Sequence, residues 1–154
     1  MMRTSAGRGR RSSAAVVAVA VVVGVVALAS PASAARLTAI SIKSSHVTEG
    51  DTGTVFAVVR VTLSRPKTTT VTVNFETGGK RGGETATAGR DYVRRPGQTL
   101  SFPPGSTYAN IVVPVIGDQL VEPDEFFTVH LYQPSGGPTI ADDRGKVTIF
   151  DDDE

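Results

Sequence analysis

The chain has 154 residues, room for one domain, and sets 16 Lys and Arg against 15 Asp and Glu, with no Cys and no Trp. Without Cys a disulfide framework is excluded, so the fold must stand on an apolar core, a bound metal, or both. The charge balance is close to neutral and shows no Lys/Arg stripe interleaved with aromatics, which argues against a nucleic-acid partner.

The N-terminus has its own character. Arg3, Arg8, Arg10 and Arg11 precede a run from Ala14 to Ala29 made only of Ala, Val, Leu and Gly, followed by Ser30-Pro31-Ala32-Ser33-Ala34. A basic start, an apolar stretch and a small-x-small end are the three parts of a secretory signal peptide, so residues 1–34 read as a signal removed after Ala34 and 35–154 as the secreted, extracellular domain. The membrane is then met only in transit. An uncleaved anchor is the alternative, although the apolar run falls short of the roughly 20 residues that span a hydrocarbon core. Arg10-Arg11 is followed by Ser12 and Ser13, a weak match to a twin-arginine signal. Loss of the four arginines leaves twelve basic against fifteen acidic side chains, a net charge of −3.

From Leu37 onward, β-branched residues alternate with polar ones in short runs broken by Gly and Pro. In chain order the pattern predicts strands at 37–42, 54–63, 70–77, 99–102, 109–116, 126–132 and 146–150. Apolar residues fall at every second position: Val59, Val61, Leu63; Val71, Val73, Phe75; Ile111, Val113, Val115; Phe127, Val129, Leu131; Val147, Ile149. Period two puts each set on one strand face, so the expected fold is all-β, a seven-stranded antiparallel immunoglobulin-like sandwich. Between 78 and 97 the chain has no clear strand, and connections of that length are usually functional or disordered.

If seven strands alternate up and down, the connections 1 to 2, 3 to 4 and 5 to 6, and the tail after strand 7, emerge at one pole. These segments hold Glu49 and Asp51; Glu84 and Asp91; Asp118, Glu122, Asp124 and Glu125; and Asp151, Asp152, Asp153 and Glu154. Only Glu76, Asp142 and Asp143 lie elsewhere. Like charges crowded at one end are unfavourable unless some protonate or a cation sits among them. An oxygen-only ligand set points to a hard cation, and flexible carboxylates suit Ca²⁺ better than octahedral Mg²⁺. Each cluster also has a plainer reading, as a solvated tail, a turn or a strand end. Lys80, Arg81, Arg90, Arg94 and Arg95 supply a competing one, a salt-bridge network that needs no metal.

Six segments carry a family resemblance: Val47-Thr48-Glu49-Gly50-Asp51; Leu63-Ser64-Arg65-Pro66; Thr85-Ala86-Thr87-Ala88-Gly89-Arg90-Asp91-Tyr92; Leu100-Ser101-Phe102-Pro103-Pro104-Gly105; Asp118-Gln119-Leu120-Val121-Glu122-Pro123-Asp124-Glu125; and Val147-Thr148-Ile149-Phe150-Asp151-Asp152-Asp153. In that order they resemble the Calx-β domain, the calcium-binding sandwich of sodium/calcium exchangers, over about Leu37 to Asp153. The resemblance implies Ca²⁺ ligands at Glu49, Asp91, Asp118, Glu122, Glu125, Asp151, Asp152 and Asp153. Three departures imply weaker binding: Gly117 where strong binders carry a further acid, the basic insertion Gly79-Lys80-Arg81-Gly82-Gly83-Glu84, and ligands placed close to Glu154, where a chain end can fray.

An enzyme is disfavoured. Nucleophilic catalysis needs a nucleophile held against a base, usually His. Of the two histidines, His130 alternates with apolar Val129 and Leu131 and so faces solvent, and His46 sits in a predicted turn. The expected function is that of a calcium-binding, non-enzymatic module serving adhesion or protein interaction, with an unidentified protein or cell-surface partner. The alternative is a calcium-independent interaction module whose acidic pole is neutralised by loop arginines.

Overall fold

The structure, a computed structural model, describes residues 37–79 and 83–154. The segment read as a signal peptide, and Lys80 and Arg81 of the long connection, lie outside the described residues. Nine strands follow in order: β1 (Ala39–Ile42), β2 (Ser45–Thr48), β3 (Gly53–Leu63), β4 (Val71–Thr77), β5 (Gln98–Phe102), β6 (Tyr108–Gly117), β7 (Glu125–Ser135), β8 (Thr139–Asp142) and β9 (Arg144–Phe150). They form a four-stranded sheet, β6-β3-β1-β8, and a five-stranded sheet, β2-β9-β7-β4-β5.

The all-β sandwich is as expected, but the count is nine rather than seven and the pairing is not wholly antiparallel. Both differences have one cause. The first and last strands each break partway and cross to the other sheet, β1 into β2 at Lys43-Ser44 and β8 into β9 at Asp143. The two broken strands run side by side in the same direction, so β1 pairs parallel with β8 and β2 parallel with β9. At the crossing the chains lie so close that a Cβ on Gly145 would stand 2.8 Å from the Lys43 carbonyl oxygen. Each broken strand keeps its direction, so the up-and-down parity of the connections is unchanged. His46 belongs to β2 and not to a turn, and it points outward against the Phe150 ring.

Each of the apolar sets with period two is buried, and together they make the core. One large core residue lies outside every strand. Tyr92, in the long connection, is 2% exposed and stacks on Phe127 with ring centroids 4.1 Å apart. Its backbone bridges Val115 of β6. On either side of it, Ile116 donates its N–H to the Asp91 carbonyl at 2.9 Å and Val93 donates to the Pro114 carbonyl at 2.9 Å. An aromatic ring driven into the core, with three successive residues tied to a strand, pins a connection that lacks a strand of its own.

Candidate metal centre

The site grows out of the ends of the inward-facing rows. On β7 the buried row Leu131, Val129, Phe127 continues by two residues to Glu125; on β9 the row Val147, Ile149 continues to Asp151; on β2 Val47 continues to Glu49. Alternation carries each carboxylate inward just where the apolar core stops. Register then aligns them. Thr48 of β2 lies beside Phe150 of β9, so Glu49 and Asp151 leave their strands together, and Glu125 of β7 lies opposite Ile149. Asp91 reaches the same pole through the anchored connection.

Two triads result. The carboxylates of Glu49, Asp151 and Asp153 each offer an oxygen within 4.8 Å of the others, and so do those of Asp91, Glu122 and Glu125. Calcium oxygens lie at about 2.4 Å, so oxygens on opposite sides of one ion are about 4.8 Å apart, and either triad falls within that span. A cavity of about 10 Å³ between Glu49, Asp151, Glu122 and Glu125 adjoins both.

Backbone donors hold this arrangement. Gly50 donates its N–H to Asp152 Oδ1 at 2.9 Å, Glu122 donates to Asp151 Oδ2 at 2.7 Å, and Asp153 donates to Asp151 Oδ1 at 3.1 Å. Thr87 donates its N–H to Asp91 Oδ2, closing the turn that presents Asp91. These bonds restrain the carboxylates without neutralising them.

The electrostatics record the crowding. Burial first, and then Asp118, Asp151, Asp91 and Glu122, push the Glu49 carboxyl up to about 7. Glu125 is also pushed up to about 7, by burial and by Asp91 and Glu122, against the opposing pull of Arg90. Asp153 is raised by loss of water and by Asp151, Asp51, Asp152 and Asp118, and its Oδ2 is buried with no hydrogen-bond partner. A buried oxygen left unpaired is costly, and a cation among the carboxylates removes that cost. The donor set, all carboxylate oxygen, fits a hard divalent ion such as Ca²⁺.

Of the eight sequence-derived candidates, six form the triads, whereas Asp118 and Asp152 join neither. Asp152 caps the Gly50 amide, and Asp118 Oδ1 accepts the Leu120 N–H at 2.8 Å. Glu84, counted among the polar acids in the sequence, is used elsewhere: Oε1 accepts from the Thr128 N–H at 3.0 Å and from the Thr128 hydroxyl, and Oε2 accepts from the Gly79 N–H at 3.3 Å. Among the loop arginines in the described residues, Arg90 contacts the second triad. It donates to Glu122 Oε1, and its Nε lies 3.8 Å from Asp91 Oδ1.

Gly117 ends the inward row of β6, after Val113 and Val115, so an acid there would join the site. The structure shows why none stands here: a Cβ on Gly117 would lie 1.9 Å from the Gly50 carbonyl oxygen and 2.7 Å from that of Glu49. The loop bearing Glu49 occupies the space. Gly117→Ala is therefore expected to displace Glu49 and to cost about 1–3 kcal/mol, the usual penalty for overpacking, measurable by urea unfolding.

Comparison with known proteins agrees with this geometry. The Calx-beta domain profile matches residues 34–153. Among curated proteins, the sodium/calcium exchanger Calx of Drosophila melanogaster is 44% identical over 70 residues, covering 45% of this chain and 7% of the exchanger. The adhesion G-protein coupled receptor V1 of Danio rerio is 38% identical over 93 residues, covering 59% of this chain and 1% of the receptor. The chain thus spans a small fraction of these relatives' length. Among solved structures, the apo-form Calx CBD1 domain superposes with a TM-score of 0.64 at 32% identity, covering 76% of this chain and 99% of that domain. The calcium binding domain CBD12 of CALX1.1 gives 0.62 at 34% identity, covering 75% of this chain and 46% of that one. Sandwich, carboxylate-lined pole and sequence match together place this chain in the Calx-beta domain family.

Proposed function

We propose that this protein is an exported, non-enzymatic calcium-binding module in which Ca²⁺ at one pole of the sandwich locks loops that otherwise repel one another, stiffening the domain for adhesion or protein interaction. The observation that carries this reading is the pair of carboxylate triads at the ends of the inward rows, with the unpartnered Asp153 Oδ2 in one of them. Relatives named as calcium-binding domains support it. Export rests on the basic, apolar and small-residue segments of 1–34, and the family match begins at residue 34, where the signal would end.

The calcium-independent alternative draws on one observation, the bridging of Glu122 and Asp91 by Arg90. Arg90 is half exposed while its carboxylate partners are largely buried, so solvent screens the pairs from one side, and a single guanidinium cannot neutralise the six carboxylates of the two triads.

Thermal unfolding of the purified protein separates the two. A ligand at 100 times its Kd stabilises by about 2.7 kcal/mol, so saturating Ca²⁺ should raise Tm by roughly 8–15 °C over the chelated protein. Arg90→Ala should tighten Ca²⁺ binding several-fold and lower the metal-free Tm little. A large drop in the metal-free Tm of Arg90→Ala, with no response to Ca²⁺ in either protein, would instead support neutralisation by arginine.

A further inference from the structure

Of the four edge strands, β2 and β8 have four residues and β5 has five, whereas β6 has ten. Long edges are ordinarily shortened, charged or covered, because their unpaired N–H and C=O groups are a template for further pairing. Yet β6 reads Tyr-Ala-Asn-Ile-Val-Val-Pro-Val-Ile-Gly, without one charged residue. Its C-terminal half is covered by its own chain, the Ile116 N–H and the Pro114 carbonyl pointing outward to Asp91 and Val93. By the two-residue alternation of the backbone, Val112, Asn110 and Tyr108 also direct their N–H and C=O outward. Among the described residues no strand pairs with them; the Tyr108 carbonyl accepts from the Ser106 hydroxyl at 3.0 Å, which leaves it one lone pair for a partner strand. On the outer face of this sheet Phe56, Val58, Val112 and Tyr108 are exposed, with Arg60 and Asn110 between them.

We propose that β6 pairs antiparallel with β6 of a second copy of this chain about a two-fold axis through Asn110, making one continuous eight-stranded sheet. Asn110 is the middle of the free stretch, so this register sets Tyr108 against Val112 of the copy, and Val112 against its Tyr108, each pair exchanging backbone bonds. The Asn110 side chains, exposed on the outer face, meet across the axis, where two amides can bond reciprocally.

Charge favours a second copy in this orientation. The end of β6 at Gly117 adjoins the acidic pole, whereas the opposite end of the sandwich carries Arg65 and Lys67 in the connection from β3 to β4; Arg60, beside Asn110 on β3, is held back over the Tyr108 ring of its own chain at 4.7 Å. Antiparallel pairing brings the acidic end of each copy toward the basic end of the other and keeps the two acidic poles apart.

Two variants test this by sedimentation of the purified protein over a concentration series. Val112→Pro removes only an N–H that faces away from β3, as Pro114 already does two residues on, so the monomer fold is retained. Asn110→Lys sets like charges opposite each other on the axis and should weaken association roughly fivefold or more. The expected result is a wild-type dimer, a monomeric Val112→Pro with an unchanged unfolding midpoint, and a weakened Asn110→Lys. A wild type that stays monomeric up to millimolar concentration overturns the proposal. So does a folded Val112→Pro that still dimerises or, should that variant fail to fold, an Asn110→Lys that dimerises as tightly as wild type.

Discussion

Tyr92→Ala should destabilise the protein by about 3–5 kcal/mol and, in the same step, remove the second metal triad. The ring is among the largest fully buried side chains and lies against Phe127, so truncation leaves a cavity between the sheets. It is also the anchor of a connection that contributes no strand. Once it is gone, Asp91 is held beside Glu122 and Glu125 by the backbone ties of Asp91 and Val93 to β6 and of Thr85 and Ala86 to the Phe126 carbonyl, without the ring that fixes the connection between the sheets. Tyr92→Phe keeps the stacking and should cost under about 1.5 kcal/mol. Urea unfolding paired with calcium titration checks both effects. A Tyr92→Ala protein that binds calcium as the wild type does would show that the connection positions Asp91 without its anchor.

The metal-free protein should lose stability as pH rises from about 4.5 to 7. Glu49 and Glu125 each have a pKa of about 7 in the folded chain against 4.5 for an unperturbed glutamate, so within this window the folded state binds more protons than the unfolded one. Below the window both states hold the protons and the folded state bears no penalty; above it the buried Glu49 and half-buried Glu125 are ionised and the penalty is complete. For Glu49 alone this amounts to about 3 kcal/mol. Calcium binds the ionised form, so its stabilisation should be small at pH 5 and large at pH 7.5. Melting curves across this range, with chelator and with calcium, give the measurement. Metal-free stability that rises steadily from pH 5 to 7.5 would mean that the pole is not strained by its own charge.

Much of this was legible in the sequence. Val59, Val61 and Leu63, or Phe127, Val129 and Leu131, declare a buried face because alternation is strict and the runs are long. β2 and β8 were not, for physical reasons: each has four residues, neither is strongly apolar, and each pairs with a strand far away in the chain or across a crossover. The acidic pole followed from parity, which survived the wrong strand count because a strand that breaks and changes sheet keeps its direction.

Which acids converge was less legible. Extending each inward row by two residues singles out Glu49, Glu125 and Asp151, a signal present in the sequence once the strand ends are known. Asp118 and Asp152 look equivalent to their neighbours in composition, but they fall on the outward phase or are used by a backbone amide. Nor does composition reveal that Glu84 is spent on Thr128, or that the absence of an acid at 117 follows from the space taken by the Gly50 carbonyl.

Whether the carboxylate pole holds Ca²⁺ is decided by calorimetric titration of the purified protein at pH 7.5. Saturable binding with a Kd of about 10⁻⁴ to 10⁻³ M is expected, lost stepwise in Glu49→Gln and Glu125→Gln. The absence of any saturable binding at millimolar Ca²⁺, from a protein whose unfolding is cooperative, would contradict calcium binding at this pole.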